Sequence, residues 1–401
     1  MHNKGSMKKA SIVGVNVILL GLVSFLTDVS SEMIMPILPM FIVALGAEAF
    51  IVGLIGGLSS SISSILQVFS GYLSDKAGKR KPFIFTGYLT SSTIKLFFPF
   101  STIWHHLLIL VPLERIGKGL RTAPRDALIA ASALGEVRGK AFGIHRAMDT
   151  GGAVLGATLS FILFWVLGFN FRLILLIAAL IAFLALIPLI PVRDIKVKPS
   201  KIRSLTLSLK GLPGNFKFYL IIVVLYALGN FTYMFFILKA QEAFAQTLPL
   251  RYSQALPILL YVLFNLVYAL FSTPSGILSD KFGRKRILFL GYILFSLTCL
   301  GFMFAQTLPL FALFFSLYGL TYALIDANQR AYASDLLPEE LRGSGLGVFH
   351  TLIGFATLPA SVIAGLLWQI NPELTFMYGA VMSLIASSLI GAWRIKTEKK
   401  L

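Results

Sequence analysis

Asp28 and Glu32 stand four residues apart in a run that is otherwise almost wholly apolar from Ile12 to Ala44. At helical spacing they share one face. At roughly 1.5 Å per residue, Asp28 lies ~24 Å along a helix begun at Ile12. Two carboxylates side by side in a low-dielectric cavity repel, which favours a proton on one of them and makes a proton carrier. The plainer reading places the pair near the outer end of the helix, solvated or held in structural pairs.

The richest run follows Trp104. Glu114, Lys118, Arg121 and Arg125 fall on one continuous helical stripe, flanked by Arg115 and Asp126. Counted from Trp104, Glu114 and Arg115 are ~15 Å deep. A stripe this polar cannot face lipid, so it lines water or packs against other polar helices. Arg115 and Lys118 are read as functional. Arg125 and Asp126 read as pairing at the cytoplasmic end; Arg121 divides between that role and a substrate cavity. Pro124 predicts a bend or thinning at the inner end of the helix.

The next apolar run carries His145, Arg146 and Asp149. His145 and Asp149 are i, i+4 neighbours, suited to proton handling, and Asp149 is a candidate counter-ion for Arg115 or Lys118. The second half is poorer in charge. It offers Asn230 and Tyr233 on one run, Asp326, Asn328, Gln329 and Arg330 on another, and His350 on a third. Asp326 and Arg330 are spaced to satisfy each other. The asymmetry assigns ion coupling to Asp28, Glu32, Glu114, Arg115, His145 and Asp149 in the first half. The second half then shapes the substrate cavity with Asn230, Tyr233, Asp326, Asn328, Arg330 and His350, joined by Lys118, Arg121 and Arg146.

The elements that position these residues are set by the solvent. Hydrophobic residues make up 57% of the chain and charged residues 13%, with a mean hydropathy of +0.83. Soluble proteins carry roughly 25% charged residues, so the solvent of this chain is lipid. Its net charge of +18 resides in short loops between apolar runs, which fits a membrane surface and not nucleic acid. Cys299 is the single cysteine and lies in an apolar run, so no disulfide framework or cysteine metal site arises. The start, with Lys4, Lys8 and Lys9 before Ile12, imitates a signal peptide. The apolar stretch runs on past an h-region without a small-residue cleavage pattern, so it reads as a first transmembrane helix.

A ruler of about 20 apolar residues per span gives about twelve helical segments. The first six cover 12–44, 49–73, 82–101, 104–132, 138–168 and 171–191, and the second six cover 218–244, 252–279, 286–305, 308–334, 341–369 and 372–392. The fold class is an all-α polytopic membrane protein in two six-helix bundles, residues 1–192 and 218–401. A basic linker, 193–217, joins them and carries Lys196, Lys198, Pro199, Lys201 and Arg203. The runs are too continuous for barrel strands. Lys and Arg crowd one side: the N-terminus, Lys76–Lys81, Arg138 and Lys140, the linker, Lys281–Arg286, and Arg394, Lys396, Lys399 and Lys400. Both termini are therefore cytoplasmic. In the second span, Gly53, Gly56 and Gly57 among Ser59, Ser60, Ser61, Ser63 and Ser64 predict close helix packing.

One turn occurs twice, at matching places in the two halves. Gly71-Tyr-Leu-Ser-Asp75-Lys-Ala-Gly78-Lys79-Arg80-Lys81 returns as Gly276-Ile-Leu-Ser-Asp280-Lys-Phe-Gly283-Arg284-Lys285-Arg286, so the chain reads as a duplicated unit. Gly71 and Gly276 predict close helix approach. Asp75 and Asp280 are expected to accept N–H groups at a helix N-terminus. The basic residues can form a latch that opens and closes between states. The turn resembles the signature of the major facilitator superfamily of secondary transporters, with Lys79 where Arg is usual in the first copy. The resemblance spans the chain and implies a cavity lined by the first, fourth, seventh and tenth helices, working by alternating access as a monomer. Arg115-x-x-Lys118-Gly119 resembles a family pattern linked to proton coupling, with Lys in place of Gln. Gly152-x-x-x-Gly156 resembles an exporter pattern, with Ala157 in place of Pro.

The expected function is therefore secondary active transport of a small solute across the cytoplasmic membrane. The driver is the proton gradient, with export and hence antiport favoured. The excess of basic residues on the Glu114 helix favours an anionic or zwitterionic solute. No phosphate-cradling loop supports ATP drive, and no hydrolase triad or zinc motif supports an enzyme. No cofactor is expected. Metal or metal-chelate transport through Asp28, Glu32, Asp149 and the histidines is the chief alternative within transport. A non-transporting receptor or scaffold, or a lipid flippase, shares the fold-level features.

Overall fold

The computed structural model describes residues 4–133, 138–195 and 209–393. Most of the linker, including Lys196, Lys198, Pro199, Lys201 and Arg203, lies outside the described residues, as do Arg394, Lys396, Lys399 and Lys400. The side chains of Lys4, Lys8, Lys9 and Arg138 also lie outside them.

Every regular element among the described residues is helical. The first half runs α1 (Lys4–Ile34), α2 (Leu38–Ala44), α3 (Ala49–Ala77), α4 (Lys81–Lys95), α5 (Trp104–Ser132), α6 (Arg138–Phe161), α7 (Phe171–Leu184) and α8 (Leu186–Leu189). The second runs α9 (Gly214–Gly229), α10 (Met234–Ala245), α11 (Leu250–Phe282), α12 (Arg284–Phe304), α13 (Leu308–Asp335), α14 (Arg342–Ile370) and α15 (Pro372–Ala392). Among the described residues, ten helical stretches are long and apolar enough to cross a bilayer. The two remaining spans of the sequence reading are α4, only 15 residues long, and α5, whose charges exclude it on composition. An all-backbone-satisfied helix is the form a chain takes in lipid, which has no water to pair with peptide groups.

Two compact units emerge from the contacts. Among the described residues, one holds those up to Gly46 together with 62–195; the other holds Ala47–Ser61 and 209–393. In the second unit the Gly-rich start of α3 packs closely, as its composition predicts. A Cβ at Gly57 would stand 3.0 Å from the Leu358 carbonyl oxygen, and one at Gly56 would stand 2.5 Å from the Thr232 hydroxyl.

Corresponding helices in the two halves are broken. The α1 ladder stops at Ile34 and resumes as α2 after Met35-Pro36-Ile37; Pro36 supplies no N–H and restricts the residue before it. The α9 ladder stops at Gly229 and resumes as α10 after Asn230–Tyr233. There the freed Thr232 N–H donates to Ser361 Oγ at 3.1 Å, which satisfies a buried donor without helix. By contrast, α5 runs through Pro112 and Pro124 as one helix, so the bend expected at Pro124 does not interrupt it.

The second unit has an aromatic core. Phe236 stacks on Tyr318 at 4.2 Å and meets Phe302 edge-on at 4.8 Å, while Tyr226 stacks on Tyr292 at 4.5 Å. Helix association in lipid gains little from water exclusion, so packing of this kind carries it.

Candidate functional site

In the first unit the seam between α1 and α6 brings acids together. A Cβ at Gly152 would stand 2.5 Å from the Phe25 carbonyl oxygen, and one at Gly156 would overlap that of Val29. This close crossing sets Asp149 of α6 against Ser24 and Asp28 of α1. Ser24 Oγ donates to Asp149 Oδ1 at 2.7 Å, and Arg125 Nη1 donates to Ser24 Oγ at 3.0 Å. Arg146 pairs with Asp149 Oδ2 at 3.4 Å. The Asp28 carboxyl faces that of Asp149 across this seam, within hydrogen-bonding reach. Glu32 and Lys118 act on Asp28 electrostatically.

Four of the residues picked from the sequence therefore meet here: Asp28, Asp149, Arg146 and Arg125. His145 lies nearby, 5% exposed, but Asp149 spends its oxygens on Ser24, Arg146 and Asp28, and the imidazole Nε2 finds no partner. The expected His145–Asp149 pair is thus displaced by better donors.

Across α4 and α5 the packing is equally close, because Gly87 and Gly117 face each other, a Cβ at Gly87 standing 2.7 Å from the Gly117 carbonyl oxygen. Glu114 is buried and pairs with Arg115 Nε at 3.2 Å, while Ser91 Oγ donates to its Oε1 in a short hydrogen bond. Glu114 is thus a counter-ion of Arg115, for which Asp149 was a candidate: adjacent in sequence, it reaches the guanidinium without crossing to α6. Arg121 lies over the Tyr88 ring at 4.4 Å and is only 4% exposed. It faces α4 and not an open cavity, a correction to its placement with the substrate residues. Lys118, on the same stripe, is exposed.

One buried charge escaped the sequence reading. Lys95, 2% exposed at the end of α4, donates to Ser30 Oγ at 3.0 Å and Ser31 Oγ at 2.8 Å on α1. A lysine near a helix end reads as a snorkelling anchor, and only the short length of α4 could have signalled otherwise.

The second unit holds a cavity of about 220 Å³ beside the break between α9 and α10. The rings of Tyr226, Tyr322 and Phe349 form walls, and Asn230, Asp326, Arg330 and His350, all assigned to a substrate cavity from the sequence, line it. Asp326 Oδ2 accepts from Tyr268 Oη and from Arg330 Nη2, each at 3.0 Å. The i, i+4 pair thus forms as its spacing predicts. Two other residues assigned to this cavity lie elsewhere. Asn328 donates to Ser275 Oγ at 3.0 Å and to the Leu324 carbonyl at 2.9 Å, so it ties α13 to α11. The Tyr233 ring packs against Tyr261 at 5.8 Å. On the α13 helix the cavity takes Gln329 in place of Asn328. The aromatic walls were missed because Tyr and Phe in an apolar run read as core.

The repeated turn also departs from its expected geometry. Gly78 and Gly283 have φ of 63° and 91°, a conformation that needs glycine. Asp75 and Asp280 sit in the last turns of α3 and α11, not at a helix N-terminus. Asp75 lies 3.6 Å from Arg80; Arg284 lies 3.5 Å from Asp280 and 2.9 Å from Asp335. The N-terminal N–H groups of α4 are met by Asp194 instead, which accepts from Arg80 N at 3.1 Å and Lys81 N at 3.2 Å. Close approach holds at Gly71, where a Cβ would stand 3.2 Å from Ala123, and fails at Gly276, which has open space.

Among the described residues no group of three or more His, Cys, Asp or Glu could hold a metal ion.

The sequence model of the Major Facilitator Superfamily matches residues 20–258 and 219–401. An uncharacterised MFS-type transporter of Methanocaldococcus jannaschii is 50% identical over 378 residues, covering 94% of each chain. The structure resembles that of the nucleoside transporter NupG with a TM-score of 0.76 at 14% identity, over 94% of this chain and 99% of that one. It resembles a D-xylose–proton symporter with a TM-score of 0.72 at 17% identity, over 97% and 99% of the two chains.

Proposed function

The chain belongs to the Major Facilitator Superfamily, and from that premise we propose that it is a proton-coupled secondary transporter of the cytoplasmic membrane that exports a small anionic or zwitterionic solute. The observation that carries the proton reading is the Asp28–Asp149 carboxyl pair. It lies within the spans α1 and α6 and is held by Ser24, Arg125 and Arg146. Ionisable groups in that setting are costly and are kept where charge must move.

The chemistry follows from the contacts. With a proton shared between them, Asp28 and Asp149 hold α1 against α6. When it leaves, two carboxylates face each other and the contact turns repulsive. The pair is then stabilised only as far as Arg125, Arg146 and Lys118 can neutralise it. Proton binding therefore changes the preferred arrangement of α1 and α6, which is what a coupling group in an alternating-access cycle must do. The close Gly152 and Gly156 crossing at the same seam supports the export direction through its likeness to the exporter pattern. Arg330 in the second unit, and Lys118 exposed in the first, support an anionic or zwitterionic solute. The protein is taken to act as a monomer, each chain carrying both units.

The test is internal pH in proteoliposomes of the purified protein while organic anions, zwitterions, drugs, metal ions and metal chelates are added outside. A solute-dependent pH change that vanishes in Asp28→Asn supports the reading. Solute movement with no proton movement refutes the coupling. A response restricted to metals or chelates moves the metal reading ahead.

A further inference from the structure

The cavity in the second unit carries hydrogen-bonding capacity that the protein itself does not use. Asn230 Oδ1 is buried without a partner, although the Asn230 side chain is itself held by a hydrogen bond with Tyr322. An amide oxygen left in this way costs the full desolvation of an acceptor, and it lies where the α9 ladder has broken off, at the wall of a cavity. Broken helices of this kind form solute sites in secondary transporters. The oxygen calls for a donor, N–H or O–H, from whatever occupies the cavity.

A second group points to the opposite polarity. Arg330 spends Nε on the Asp326 carbonyl at 3.3 Å and Nη2 on the Asp326 carboxylate at 3.0 Å. That leaves Nη1 to offer, on a side chain 47% exposed. Asp326 is already committed, accepting from Tyr268 as well as Arg330, so it does not ask for a cation. The free polarity at this edge is a guanidinium N–H, which suits a carboxylate.

Between these polar points the walls are flat and aromatic. Tyr226, Tyr322 and Phe349 line the space, and the Tyr226 ring is braced from behind by Tyr292 at 4.5 Å. Rigid rings recognise a planar apolar body by stacking and edge contacts. The volume, about 220 Å³, is below the usual range of drug-sized pockets, which limits the occupant to one or two fused rings.

Resting on the transporter reading and deepening it, we infer that the cavity beside Asn230 and Arg330 binds a small planar aromatic carboxylate that also carries a hydrogen-bond donor. The ring lies between Tyr226, Tyr322 and Phe349, the donor meets Asn230 Oδ1, and the carboxylate meets Arg330.

The test is calorimetric titration of the purified full chain in detergent with indole-3-carboxylate. Cyclohexanecarboxylate serves as the non-aromatic anion and 1-methylindole-3-carboxylate as the ligand without the donor. Indole-3-carboxylate binds the wild type saturably, the methylated form binds about tenfold more weakly, and cyclohexanecarboxylate is at least as weak. Asn230→Ala abolishes the difference between the two indoles, and Arg330→Gln weakens both by tenfold or more. Should Asn230→Ala fail to fold, Asn230→Ser and Phe349→Leu read the same site, the second lowering the preference for the ring. Equal binding of cyclohexanecarboxylate, or unchanged binding in the Asn230 and Arg330 variants, overturns the inference. So does no binding of either indole. In each of these cases a solute-driven pH change with another compound in proteoliposomes still stands, so the failure of this assignment is distinct from the failure of the transporter reading.

Discussion

Asp149 gathers a serine hydroxyl, a guanidinium and a second carboxyl around one side chain inside a membrane-spanning helix. The sequence already marked Asp28, Asp149 and Arg146, because a charge in an apolar run is conspicuous. It did not show which charges meet. Pairing depends on helix rotation and depth, and Arg115 turned to its neighbour Glu114 at 3.2 Å. Removing that buried carboxylate takes a close counter-charge from the guanidinium, so Glu114→Ala lowers unfolding stability by about 3 kcal/mol, read from denaturation in detergent. An unchanged midpoint would show the pair to be energetically idle. Lys95 makes the opposite kind of prediction. Its amine is buried against two hydroxyls and, among the described residues, meets no carboxylate at ion-pair distance, a costly arrangement for a charge. Lys95→Met keeps the volume and removes that cost. Melting temperature then stays level or rises while solute transport falls. A loss of stability with full transport would make Lys95 a structural residue only.

At the scale of elements, the spans were legible because lipid imposes a length and a hydropathy on every helix. The breaks were less so. Pro36 and Gly229-Asn230 can each end a helix, but apolar residues continue on both sides and hide the interruption; at the second break Ser361 from α14 receives the Thr232 N–H. Likewise the aromatic cavity wall is indistinguishable in sequence from packed core. The glycine pattern was more informative. Gly152 and Gly156 admit α1 so closely that any side chain must push it away. Gly156→Leu therefore costs about 1–3 kcal/mol by overpacking and separates Asp28 from Asp149, abolishing solute-driven proton movement. Gly143→Ala, on the same helix with open space around it, leaves both unchanged. Proton movement that survives Gly156→Leu would mean the two acids need not touch.

For the whole molecule, the duplication and the charge bias predict more than any single residue does. Two copies of one basic turn, each with a positive-φ glycine, carry Lys79 and Lys281, and the distribution of Lys and Arg predicts that both face the cytoplasm. Cys299 is fully buried, so a cysteine introduced at Lys79 or Lys281 is the reactive one. Lys79→Cys and Lys281→Cys are labelled by an impermeant maleimide in inverted vesicles and spared in right-side-out ones. Labelling of one and not the other would break the duplicated topology. The solute was the least legible property: it depends on a few orphan atoms such as Asn230 Oδ1, which composition cannot reveal.

The most direct measurement compares two modes of transport in proteoliposomes carrying Asp149→Asn. One is solute exchange with no gradient; the other is accumulation driven by an imposed pH difference. If Asp28 and Asp149 share the coupled proton, exchange persists near the wild-type rate while gradient-driven accumulation is lost. Accumulation that survives in Asp149→Asn, and in Asp28→Asn beside it, would contradict the account and place proton coupling outside the α1–α6 seam.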